Sequence, residues 1–173
     1  MNELFEILKY TLPAIIVLIV SIVLIKQMVK NDQHKRNSEI ALGNQKIITP
    51  IRLQAYERIA LLLERISPES LIMRLNKPGY TSKQLQVELL NTIRSEFDHN
   101  VSQQVYVSPQ VWEIVKNART NTVQLINGSA SKVNPDAPAF NLSKLILENV
   151  VVQEKSPVSM ALEALKNEVK KFY

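Results

Sequence analysis

The chain has 173 residues, enough for one domain with a substantial core, and its formal charge of +5 comes from 21 basic and 16 acidic side chains. It has no cysteine, which excludes disulfides, thiol catalysis and Fe–S ligation, and its three glycines leave no material for a Gly-rich phosphate loop. The charge is not a nucleic-acid signature: Lys26, Lys30, Lys35 and Arg36 against Asp32 concentrate it in residues 26–36, and residues 37–173 carry an ordinary mixed surface without a clustered basic helix or interleaved aromatics.

In chain order, the first feature is Tyr10 to Ile25, YTLPAIIVLIVSIVLI, uncharged and bracketed by Lys9 and Lys26. A hydrocarbon core about 30 Å thick needs roughly 20 apolar residues in a helix. Snorkelling of the two lysines lengthens the run to residues 8–29 and predicts a transmembrane helix within residues 1–30. Glu3 and Glu6 precede the run and no small-residue cleavage site follows it, which argues against a cleaved secretory signal. The basic collar predicts that the N-terminus lies outside and the rest in the cytoplasm. The expectation is a single-pass protein of a bacterial inner membrane, with the lipid bilayer as one partner and Lys26, Lys30, Lys35 and Arg36 at the membrane surface.

Residues 31–48 read as a juxtamembrane linker, partly helical but without sustained heptads. A helical domain follows over residues 49–173. Thr49-Pro50, Ser67-Pro68, Ser108-Pro109 and Ser156-Pro157 are hydroxyl–proline helix starts, with the hydroxyl at N-cap and proline at N1. Helices are predicted over residues 50–66, 68–75, 82–100 and from Pro109 to a stop at Asn127-Gly128; Thr81 with Gln84 forms a capping box. Residues 103–107 read as a short extended connection and residues 129–140 as a loop. Residues 142–152 satisfy both helix and strand patterns, with helix favoured, and the last helix spans residues 157–172 with Val158, Ala161, Leu162, Leu165, Val169 and Phe172 on one stripe. The fold class is therefore mostly α, an N-terminal transmembrane helix followed by a compact cytoplasmic domain of about five helices.

The stretches IRLQAYERIALLLERISPESLIMRL, residues 51–75, and IRSEFDHNVSQQVYVSPQVW, residues 93–112, resemble a family of small single-span bacterial membrane proteins of Bacteroidota type. The resemblance implies an inner-membrane setting and carries no activity.

Chemistry is sparse. Glu96 and His99 stand at i, i+3 on one helix face, half of a carboxylate-bridged di-metal motif, and the other histidine, His34, lies in the collar. The alternative reading makes Asp98, His99 and Asn100 the polar end of a helix. Arg52, Glu57, Arg58, Glu64 and Arg65 form either a binding face or a solvated helix surface, and Tyr106 and Trp112 either interface anchors or core aromatics. No cofactor is implied. The expected function is a non-enzymatic accessory or scaffold subunit that presents a helical interaction surface. The alternatives are a self-assembling homo-oligomer, with the last helix packed between copies, and a metal-dependent enzyme using Glu96 and His99.

Overall fold

The computed structural model describes residues 2–152 and 156–172, with side chains from residue 15 onward except at positions 34, 37, 38, 41, 44 and 172. Its first helix, α1 (Asn2–Arg65), contains the whole apolar run, yet among the described residues no helix is long and apolar enough to cross a membrane. The uncharged run with described side chains covers residues 15–25, which at 1.5 Å per residue extends about 16 Å, roughly half of a hydrocarbon core. Lys26, Lys30 and Asp32 follow within two turns. This finding overturns the predicted transmembrane helix and, with it, the single-pass arrangement and the inner-membrane location. The side chains of residues 8–14, the start of that predicted span, lie outside those described.

The chain divides into two units at Thr49 and Pro50. In the first, the Ile15, Leu18, Ile22 and Ile25 side chains are exposed, and Arg36 pairs with Asp32 one turn away at 3.2 Å. Thr49 and Pro50 are both helical within α1, not a helix start as predicted. A proline in a helix interior loses one hydrogen bond and crowds the carbonyl four residues before it, yet α1 runs through Pro50; the other hydroxyl–proline pairs begin helices where the residue before proline leaves helical geometry. Ser67, Ser108 and Ser156 do so, with ψ of 139°, 149° and 145°. Each then accepts a hydrogen bond from the N–H three residues on, at 3.3, 3.3 and 3.1 Å, and starts a helix with proline inside its first turn.

Those starts produce α2 (Pro68–Leu75), α4 (Pro109–Ala130) and α6 (Pro157–Val169); α3 (Ser82–Asn100) and α5 (Ala139–Val151) complete the second unit. The capping box at α3 forms as predicted: the Gln84 N–H donates to Thr81 Oγ1 at 3.2 Å and the Thr81 N–H to Gln84 Oε1 at 2.9 Å. Two further orphan donors of α3, the Ser82 and Lys83 N–H groups, are met by the carbonyls of Ala137 and Pro135. The loop before α5 is thus tied to the start of α3. Between these helices Ile59, Leu62, Leu63, Ile66, Leu71, Leu85, Leu89, Ile93, Val115, Ile126, Leu142 and Ile146 are almost wholly buried.

Three local expectations change. The connection expected to be extended over residues 103–107 is instead mostly a 3₁₀ turn, Val101–Val105, that runs on from α3. Gly128 does not stop α4, which continues to Ala130. Its left-handed freedom is not used, the positive φ of 84° among described residues belonging to Gly79 in the turn after α2. The extra turn buries Ser129, whose hydroxyl accepts from Asn149 Nδ2 at 3.0 Å, a tertiary contact that outweighs glycine's weak preference to end a helix. Helix α5 begins at Ala139, inside the stretch expected to be a loop, and keeps Val150 and Val151 helical, which resolves the helix–strand ambiguity.

Because Leu89 is fully buried on α3, Leu89→Ala is expected to cost about 2–5 kcal/mol. Leu61→Ala, at an exposed position on α1, should stay within about 0.5 kcal/mol. Chemical denaturation of the two variants checks the contrast.

Candidate functional site

The residues with chemical potential fall into two polar clusters and one apolar groove. The first cluster centres on Glu168, on the stripe of α6 that carries Val158, Ala161 and Leu165 into the core. Tyr56 of α1 donates to Glu168 Oε1 at 2.6 Å, the Ser108 N–H donates to the same oxygen at 2.8 Å, and the Ser108 hydroxyl donates to Oε2. Arg52 donates through Nη2 to the Tyr56 oxygen at 3.2 Å and through Nε to the Tyr106 carbonyl at 3.1 Å. One carboxylate therefore joins α1, the N-terminus of α4 and the end of α6.

Burial by itself raises the Glu168 pKa. The Ser108 hydroxyl, the Tyr56 phenol, the Ser108 N–H and the Arg52 charge together outweigh it and leave the carboxyl below its ordinary value. Desolvation, reinforced by the Glu168 contact, pushes the Tyr56 phenol from 10.0 up to about 12. Both shifts have a structural cause, and both groups are committed to holding helices together.

The second cluster contains Glu96. Arg65 Nε lies 2.8 Å from Glu96 Oε1, and Arg74 Nη1 lies 3.9 Å from the same atom while its Nη2 donates to the Arg65 carbonyl at 2.5 Å. Glu96 thus serves as an ion-pair partner between α1, α2 and α3, whereas His99 is exposed one turn away. Among the described residues no three His, Cys, Asp or Glu side chains group to hold a metal. His34, the other histidine, has its side chain outside the described residues.

The polar set predicted on α1 is dispersed by these contacts. Arg52 belongs to the Glu168 cluster and Arg65 to the Glu96 cluster, while Glu57, Arg58 and Glu64 are exposed. Tyr106 is half exposed, its carbonyl held by Arg52. Trp112 is buried, its ring stacked on Phe97 at 5.5 Å and 28°, with the Arg119 guanidinium 4.5 Å from the Phe97 ring centre. On the first unit, Lys26, Lys30, Lys35 and Arg36 are exposed.

The groove was not foreseen from sequence. About 660 Å³ in volume, it lies between α2 and α5, floored by Ile72 and Leu147 and walled by Phe140, Lys144, Val151 and Val152. Phe140 is 66% exposed, and Val151 and Val152 are each 84% exposed. Helix α5 buries Ala139, Leu142, Ser143 and Ile146 and turns this opposite face outward. Phe140, Lys144, Leu147 and Val151 follow a 4-3-4 spacing, a signal the sequence contains but which the loop assigned through residue 140 cut in two. A smaller pocket of about 390 Å³ between α4 and the starts of α2 and α6 is lined by Asn121, Thr122, Gln124 and Ser156, with no titratable group among its described lining residues.

The fold and these sites define an all-helical domain with an apolar surface groove and no assembled catalytic group among the described residues. Residues 2–172 match the family of unknown function DUF7935, and the chain belongs to that family. No curated protein and no solved structure matches it.

Glu168 sets the expected pH response. Its folded pKa is lowered, so its stabilisation is present above the unfolded carboxyl value and is lost as pH falls through the folded one; that of Tyr56 is fully present below pH 10 and is lost as pH rises towards about 12. Glu168→Gln is expected to cost about 2 kcal/mol at pH 7, the scale of hydrogen bonds to a charged group, and to flatten the acid limb. Denaturation midpoints measured from pH 3 to 8 check both effects.

Proposed function

We propose that the chain is a non-enzymatic scaffold or accessory subunit whose α2–α5 groove docks a protein partner. The observation that carries this reading is the outward apolar face of α5, where the exposed side chains of Phe140, Val151 and Val152 stand together around one groove. Monomeric domains rarely leave large side chains clustered in this way, and helix-lined apolar grooves take amphipathic partners. The titratable groups with shifted pKa values support the same reading, because Tyr56 and Glu168 spend their polar atoms on each other, on Arg52 and on Ser108. Glu96 does likewise with Arg65, which weighs against a metal-dependent role for Glu96 and His99. The resemblance carried by residues 51–75 and 93–112 adds a bacterial setting of Bacteroidota type to the proposal.

A photoreactive phenylalanine analogue placed at Val151 of the full chain, in its native cells, tests the docking face. Irradiation should give a discrete protein adduct from position 151 and none from the exposed loop position Lys132. No adduct at 151 would contradict the reading.

A further inference from the structure

We infer that the partner in the α2–α5 groove is a second copy of this chain, seated with the two α5 helices antiparallel across a two-fold axis near Ile146. This inference rests on the docking reading above and names its occupant. An isologous interface must be self-complementary: whatever one copy presents, the other must accept at the mirrored position. The outer face of α5 meets that condition in its charge pattern and in the placing of its exposed apolar groups.

A two-fold near residue 146 sets Lys144 opposite the partner's Glu148 and Glu148 opposite the partner's Lys144. Within one copy these two groups are held together, Lys144 Nζ lying 3.8 Å from Glu148 Oε1, and both line the groove. The same axis sets Phe140 opposite the partner's Val152. These are the protruding apolar groups at the two ends of the face, and the groove between them accepts the partner's ridge. One symmetry operation therefore pairs the charges and covers the apolar ends together. Leu147 and Val151 stand beside these groups on the same side of α5 and line the same groove.

Sedimentation equilibrium on the full-length protein tests this through charge reversal. The unaltered chain is expected to be a dimer. Lys144→Glu and Glu148→Lys alone each set like charges opposite one another, and each should weaken self-association by tenfold or more. An equimolar mixture of the two variants should recover the dimer as a heterodimer, since two carboxylates on one chain then face two ammonium groups on the other. The pair within each helix stays broken in both variants, so recovery in the mixture cannot come from a repaired helix. Phe140→Asp should abolish association, with circular dichroism confirming that the exposed substitution leaves the fold intact.

A monomeric unaltered chain would overturn the inference, as would association indifferent to Lys144→Glu and Phe140→Asp, or two charge variants that fail to recover one another. The two readings fail separately. If position 151 cross-links to a different protein while the chain stays monomeric, the docking face stands and the second copy does not; if position 151 cross-links to nothing, both fall.

Discussion

A single carboxylate holds the second unit in register. Glu168 sits on the buried stripe of α6, where a charge is costly unless its oxygens are met, and here Tyr56, the Ser108 hydroxyl and the Ser108 N–H meet them. Because those donors come from α1 and from the N-cap of α4, the requirement to satisfy one buried charge fixes three helices relative to one another. Arg52 extends the network to the Tyr106 carbonyl and so ties down the turn that leads into α4. Satisfied in this way, the charge specifies one arrangement of helices that apolar packing of Leu165 and Val115 alone would leave looser.

A second constraint acts at the start of α3. The loop before α5 gives two carbonyls to the first turn of α3, and the Ala139 N–H donates back to the Tyr80 carbonyl at 2.9 Å. This exchange sets where α5 begins and which of its faces turns inward. With Ala139, Leu142, Ser143 and Ile146 committed to the core, Phe140, Lys144, Glu148 and Val151 must face out. The groove is therefore a consequence of how α5 is anchored, and its apolar character is the basis of the proposed docking.

Sequence patterns were informative where the signal was local. The four-residue spacing of Leu85, Leu89, Ile93 and Phe97 and the Thr81–Gln84 box define α3, and three serine–proline pairs mark the starts of α2, α4 and α6 to the residue. They failed where a distant contact decides the outcome. Gly128 reads as a helix stop, but Asn149 twenty residues away holds Ser129 inside α4. Pro50 reads as a start because nothing in its own side chain shows that Thr49 stays helical. The apolar run before Lys26 was read as a membrane span on its composition, whereas its described part is too short for one. Glu168 carried a faint signal, a glutamate three residues after Leu165 on an apolar stripe, but its partners Tyr56 and Ser108 are 112 and 60 residues away.

The central claim is that the outer face of α5 is covered when the protein works. Hydroxyl-radical footprinting read by mass spectrometry, in intact cells and on the purified chain at high dilution, measures that cover directly. Phe140 and Met160 are both well exposed in the isolated chain, at 66% and 54%. The account predicts that Phe140 oxidises far less in cells than in dilute solution, while Met160 on α6 is unchanged. Equal oxidation of Phe140 in both settings would contradict it.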